Sequence, residues 1–275
     1  MNDTLTYVYC LVRSARRPSI TGVPPGVPLS EAVRLVEVPD AAPTRSATRP
    51  ATRPAARKAR TPAGKTWLVV STVPQRAYAE EVLDEEMQRL EWIGERALAH
   101  EGVVEHFLRA DAVLPMQLFT LFMTDERAVE HVTRDRRRID RILSKIAGQV
   151  EWGLRLTLDA EAQAAPSKRA RVASGADYLA RKRDVRDAVR DRTKKARLDA
   201  TRIYRRLAAG ATAAERRTDV DRTVPGSRVV LDAAFLVPAG RAAAFRADVR
   251  RQTEPLKRAG VAAALTGPWP PYNFI

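Results

Sequence analysis

The sequence predicts an α+β protein of two domains: an N-terminal α+β domain over 1–158, and a second domain over 174–275 that opens with a long charged helix. Three observations lead there. Short β-rich segments alternate with helical periodicity as far as residue 158. A polar stretch over 159–173 then separates them from one long, charge-dense helix. Strand-like sequence resumes at Arg228 and runs to an unusual aromatic and proline-rich end.

In chain order, Leu5 to Val12 (LTYVYCLV) is short and rich in β-formers, and Val33 to Val38 alternates, so both read as strands. Residues 39–65 contain a degenerate A-T-R-P repeat with neither backbone donors at Pro nor apolar side chains to fold around. This insert is expected to be disordered or partly polyproline-like. Strand-like sequence returns at Trp67 to Val73. From Gln75 to His100, Val82, Leu83, Met87, Leu90, Ile93 and Ala97 recur at helical spacing, which marks them as an inward face; Gly102 then separates a shorter helix over 103–109. In Ala112 to Met123, Pro115 forbids one clean helix, so a loop leading into a strand over Gln117 to Met123 is predicted. Thr124-Asp125-Glu126 reads as a helix start, and Val129, Val132, Ile139, Ile142, Leu143 and Ile146 as the buried face of a single helix ended by Gly148. Val150 to Leu158 alternates as the last strand of this domain.

The second domain begins with a helix over Ser174 to Ala209. Its apolar seam is sparse, with Tyr178, Val185, Val189, Ala196, Ile203 and Leu207 at incomplete coiled-coil spacing. Arg228 to Val237 is strand-like, and Pro238 to Gly260 gives a helix that Pro255 should shorten. Val261 to Leu265 supplies a short final strand.

The net charge of +15 invites a nucleic-acid reading, so its distribution matters. The insert contributes +6, and residues 159–225 contribute +8 from 18 basic and 10 acidic side chains. The apparent cores are therefore nearly neutral. The insert lacks aromatics for base stacking, and the long helix interleaves Arg with Asp, as solvated helices do. A basic nucleic-acid-binding protein is the alternative reading, and nucleic acid is not the expected partner. Neither a signal peptide nor a membrane span is predicted, so the cytoplasm is the expected compartment. Cys10 stands alone and cannot form an intrachain disulfide; within a buried strand it reads as a small hydrophobe. His100, His106 and His131 fall in no metal or catalytic spacing, and phosphate-loop, dinucleotide and nucleophile-elbow motifs are missing. No enzyme activity, cofactor or metal is expected.

The end, Gly267 to Ile275 (GPWPPYNFI), carries the strongest signal. Pro268, Pro270 and Pro271 fix φ and stiffen the backbone, so the segment is neither an internal helix nor a central strand. Trp269, Tyr272 and Phe274 on such a backbone are expected to dock, on their own protein or on a partner.

This ending resembles the signature of the gas vesicle protein F/L family, and further blocks agree in order. They are Tyr7-Val8-Tyr9, Val113-Leu114-Pro115-Met116 with Phe119-Thr120-Leu121-Phe122, Glu151-Trp152-Gly153-Leu154-Arg155, Ser174 to Leu179, and Ala234 to Val237. The resemblance spans the chain apart from the insert and the 159–173 linker. It implies a C-terminal domain of modified ferredoxin-like character. It also implies an accessory or minor structural role in gas vesicles, through contacts with the small hydrophobic shell protein and with other vesicle accessory proteins. The chain departs from the family pattern where a basic residue and then Phe-Gly commonly follow Pro-Met; here Gln117-Leu118-Phe119 stand. Cys10 likewise replaces a usual Gly.

A hydrophobic shell subunit needs its apolar surface covered before assembly, and exposed apolar patches perform that task. The candidate partner-binding residues are therefore Leu114, Pro115, Met116, Leu118 and Phe119 of the central block, with Trp269, Tyr272 and Phe274 of the tail. The charged helix offers a second surface, suited to steering partners.

Overall fold

The computed structural model describes residues 3–40, 64–159, 175–217, 223–224 and 227–275. Residues 41–63 of the expected insert, and 160–173 of the expected linker, lie outside the described residues. The chain divides into two compact units, Met1–Gln149 with Pro270–Ile275, and Val150–Trp269.

The first unit is organised around strand β1 (Thr4–Ser14). With β2 (Arg34–Val38), β3 (Lys65–Pro74) and β4 (Ala112–Pro115) it forms a sheet of order β2-β3-β1-β4, and the two-residue β5 (Leu121–Phe122) also pairs with β1. All these pairings are antiparallel. Both faces of β1 are covered. Leu5, Tyr7, Tyr9, Cys10 and Val12 join one apolar cluster, and Val8 and Leu11 the other. A strand buried on both sides reads as a continuous apolar run rather than an alternation, as LTYVYCLV does. A register irregularity between Val8 and Cys10 lets neighbouring Tyr9 and Cys10 enter the same cluster.

Helices α1 (Gln75–Tyr78), α2 (Glu80–Glu86) and α3 (Leu90–His106) cover the first cluster, through Tyr78, Val103 and Val104. The continuous helix expected from Gln75 is thus three pieces, and the last runs through Gly102 to absorb most of the predicted 103–109 helix. Its inward face also differs from the expected one. Met87 and Leu90 are 51% and 85% exposed, whereas Arg96, His100, Val103 and Val104 are buried. Apolar spacing cannot register a face that begins with an arginine and a histidine.

Helices α4 (Asp125–Arg134) and α5 (Arg136–Ile146) cover the second cluster, with Ala128, Val132, Ile139, Leu143 and Ile146 inward. The predicted single helix breaks at Asp135, whose backbone leaves helical geometry. Its start is where the sequence placed it, with the Thr124 hydroxyl accepting from Arg127 N–H. Ion pairs fix both helices to the sheet. Arg13 on β1, almost wholly buried, donates to Asp140 on α5, which also pairs with Arg136 at 3.2 Å. Arg34 on β2 grips both oxygens of Asp125 at 2.7 and 2.9 Å, and the Thr6 hydroxyl donates to the same carboxylate at 2.8 Å.

The second unit contains β6 (Gln149–Asp159), α6 (Gly175–Gly210), β7 (Ala213–Arg216), β9 (Ser227–Pro238), α7 (Ala242–Lys257) and β10 (Val261–Trp269), with the short β8 (Thr223–Val224) paired to β9. Apart from β8, this is the β-α-β-β-α-β plan of a ferredoxin-like unit, with strand order β10-β6-β9-β7. Sequence reading assigned β6 to the N-terminal domain; the structure pairs it with β10 in the second sheet. Alternation identifies a strand but does not name its neighbour. Val150, Trp152, Leu154, Leu156 and Leu158 face a core closed by Ala196, Ala200, Ile203 and Leu207 of α6 and by Phe245, Val249 and Leu256 of α7. Only the C-terminal half of α6 docks here, since Tyr178 and Val185 are 56% and 53% exposed. Helix α7 runs two residues past Pro255.

Gly267 has φ +122°, and a Cβ there would lie 2.7 Å from the Glu151 carbonyl oxygen. A side chain is excluded both by backbone conformation and by space.

Two outcomes are expected in denaturant-unfolding measurements. Asp140→Asn should cost about 3 kcal/mol, because it strips the buried Arg13 guanidinium of its counter-charge. Gly267→Ala should cost about 2 kcal/mol or more, since neither the strained φ nor the Glu151 backbone gives way cheaply.

Candidate partner-binding site

The central block connects β4 to β5 across a tight turn. Met116 N–H donates to the Tyr9 carbonyl at 2.9 Å, which continues the β4 ladder one residue past Pro115. The chain then reverses. The Gln117 carbonyl accepts from Thr120 N–H at 3.2 Å and from the Thr120 hydroxyl at 2.7 Å, so Leu118 and Phe119 form the corner. The strand predicted over Gln117 to Met123 is thereby reduced to Leu121–Phe122.

Phe119 has φ +64°, at the turn position where a positive φ favours glycine. The chain places there a bulky residue that the conformation disfavours. Its compensation is specific. Phe119 N–H donates to the Tyr7 hydroxyl at 3.3 Å, and its ring lies 5.5 Å from Trp92 and 6.5 Å from Tyr78. Gln117 is exposed, so its neutral amide replaces no buried charge.

Beneath the turn lies an aromatic bed. The Tyr7 ring sits 4.8 Å from Tyr9 and 6.1 Å from Tyr78, and His100 is edge-on to Tyr7 at 5.7 Å. The Tyr7 hydroxyl lies 2.9 Å from His100 Nδ1. That hydroxyl also accepts from Phe119 N–H, so one oxygen links the turn to α3. Burial pushes the His100 pKa down to about 4, opposed in part by the Met116 backbone, so the ring is held neutral. Burial also raises Tyr78 to about 12, and Tyr7 and Cys10 well above their ordinary values. The Tyr9 hydroxyl donates to Ser71 Oγ at 3.2 Å and accepts from Val27 N–H at 3.0 Å. Arg96, buried on α3, stacks 3.7 Å from the Trp92 centroid and pairs with Glu95 at 3.4 Å.

The eight candidate residues fall into different settings. Leu114 and Pro115 are buried in the sheet and present no surface of their own. Met116, Leu118 and Phe119 are half-buried and share the turn. In the tail, Trp269 is half-buried at the end of β10 in the second unit. Tyr272 and Phe274 belong to the first unit: the Tyr272 hydroxyl donates to Glu101 on α3, and the Phe274 carbonyl accepts from Lys145 on α5 at 2.8 Å. The Phe274 ring is 3% exposed. Among the described residues no ring contact joins the tail aromatics to the turn. The aromatic bed with Arg96 and His100 was missed at the sequence level; its one visible trace was Tyr7-Val8-Tyr9. No group of three or more His, Cys, Asp or Glu suited to a metal ion occurs among the described residues.

Compared with known proteins, residues 5–275 match the family described as gas vesicle synthesis protein GvpL/GvpF. The chain belongs to the GvpL/GvpF family. It is 32% identical over 214 residues to gas vesicle protein L of Streptomyces sp. (strain CB03234), covering 75% of this chain and 78% of that one. The crystal structure of the gas vesicle protein GvpF from Anabaena sp. PCC7120 matches with a TM-score of 0.62 at 13% identity, over 98% of this chain and 95% of that one. GvpF from Microcystis aeruginosa matches with a TM-score of 0.60, also at 13% identity, over 98% of both chains. At that identity the two structures establish the shared fold, a mixed architecture of helices and two antiparallel sheets. No helix among the described residues is long and apolar enough to cross a membrane.

The neutral His100 of this GvpL/GvpF chain makes stability depend on pH. An imidazole with pKa 6.5 when unfolded and about 4 when folded takes up its proton first in the unfolded state. Its contribution is therefore fully present above pH 6.5 and is lost as pH falls toward about 4, by up to roughly 3 kcal/mol. Urea unfolding of the wild type and of His100→Gln across that window should show the drop reduced in the variant by this amount.

Proposed function

We propose that this GvpL/GvpF chain is a non-catalytic assembly factor of gas vesicles, working in the cytoplasm and at the growing vesicle. It binds the small hydrophobic shell protein and other vesicle accessory proteins by protein–protein contact. Membership of the family supports the gas-vesicle setting. One observation supports the choice of surface: three apolar side chains, Met116, Leu118 and Phe119, lie half-exposed on a single turn over a stiff aromatic bed. Rigid apolar and aromatic anchors lose little entropy on binding, which suits them to hold a flexible hydrophobic partner.

In this reading the buried candidates have a supporting part. Leu114 and Pro115 anchor the base of the turn. Phe274 secures the tail on the first unit, so that half-exposed Tyr272 is available at a defined position, and Trp269 is presented separately at the end of β10. The N-terminal unit carries the shell-protein contact, and the unit with α6 meets other partners.

The test uses the full chain, co-expressed with the shell protein and recovered by a tag. Leu118→Glu and Phe119→Gly should each reduce recovered shell protein by about tenfold, the expected size for truncating one interface anchor. Phe119→Gly is the cleaner variant, because its backbone already has a conformation glycine prefers. Undiminished recovery in both variants, with folding intact by circular dichroism, would remove the turn from the contact. No recovery with the wild type would remove the shell-protein reading itself.

A further inference from the structure

Four of the basic side chains of α6 share one face. Arg186, Arg190, Lys194 and Arg197 recur at spacings of four, four and three, and so stack along a single side of the helix. Asp184, Asp187 and Asp191 recur at three and four and form a stripe that adjoins this face. The Arg-Asp dipeptides that look self-neutralising in sequence do not face each other, because adjacent helical residues diverge by about 100°. Arg186 approaches Asp187 only to 3.8 Å.

Those four cations and Arg228 of β9 line a groove of about 580 Å³ that contains no carboxylate. Arg190, Lys194 and Arg228 make no ion pair among the described residues. Two apolar side chains complete the groove, Val189 half-buried and Leu198 64% exposed. A face that concentrates five cations around exposed leucine is complementary to carboxylates and apolar groups presented together.

We propose that this groove is the docking site for an acidic amphipathic helix of a partner protein. Glutamates or aspartates one turn apart on that helix meet Arg190 and Lys194, with Arg228 beside them, and its apolar stripe covers Val189 and Leu198. Nucleic acid is the less suitable occupant. The groove has no aromatic ring to stack a base, and a phosphate backbone leaves its apolar residues uncovered. The inference goes beyond the shell-protein reading and uses none of the residues of the 116–120 turn, so the two stand or fall separately.

The experiment titrates the full-length protein into a fluorescent synthetic peptide of about 18 residues, helical, with leucines on one stripe and glutamates flanking it. A shuffled peptide of the same composition and a single-stranded oligonucleotide of equal charge are measured in parallel. The amphipathic peptide should bind at least about tenfold more tightly than either. The exposed-site double variant Arg190→Glu/Lys194→Glu should weaken it by about tenfold or more. Leu198→Ser should weaken it several-fold with little change in salt dependence. Recovery of shell protein should be unaffected in all three proteins, whose thermal melts confirm folding. Equal binding of the shuffled peptide, or unchanged binding by the double variant, overturns the proposal. Tighter binding of the oligonucleotide overturns it in favour of a nucleic-acid groove, and self-association lost in the double variant overturns it in favour of a second copy of this chain.

Discussion

The first unit depends on the burial of β1 on both faces. The buried polar side chains of this strand each find a partner inside the protein, because water reaches neither side, although Arg13 Nε and Nη1 carry no hydrogen bond among the described residues. Arg13 meets Asp140, Thr6 meets Asp125, Tyr9 meets Ser71 and the Val27 backbone, and Tyr7 meets His100 and the Phe119 backbone. Each pairing recruits a different element. The polar residues of β1 thereby specify where α3, α4, α5 and the 116–120 turn must lie, while its apolar residues supply the driving force for collapse.

The same constraint shapes the candidate site. The turn is bulky and strained at Phe119, and a backbone donor to a tyrosine, which is itself held by a neutral histidine, keeps it in place. Strained residues persist where the surroundings over-determine them. A rigid apolar corner results, small in area but pre-formed. Leu114 and Pro115, equally apolar in sequence, are spent on the core beneath it.

The second unit distributes its chemistry differently. Along α6 the apolar seam is buried only from the middle of the helix onward, at Ala196, Ala200, Ile203 and Leu207. The remainder is charged and exposed, and one side of it gathers Arg186, Arg190, Lys194 and Arg197. On the sheet face opposite the helices, Glu151, Arg155, Asp232 and Arg217 form a connected ionic group, with Arg155 to Asp232 at 2.7 Å. Long-range charge therefore resides on the helix, and short-range charge is neutralised on the sheet.

Much of this was legible in the residues. Hydrophobic periodicity located β1, β2, β3, β6, β9, α6 and α7, because each buries a continuous stripe or run. The rigid, aromatic GPWPPYNFI end carried the resemblance to the family, which the match over residues 5–275 then showed. Other features were decided only in three dimensions. Periodicity was blind to the buried face of α3, which opens with Arg96 and His100, polar residues made tolerable by a tryptophan face and a tyrosine hydroxyl. Pairing was equally unreadable for β6, because a strand's alternation states which side is buried and never which strand lies beside it. The candidate block divided into core and surface according to a turn whose geometry depends on a hydrogen bond to Tyr7, more than a hundred residues away in sequence. Local sequence determined the elements and the family; contacts between distant residues decided which of its apolar side chains reach the surface.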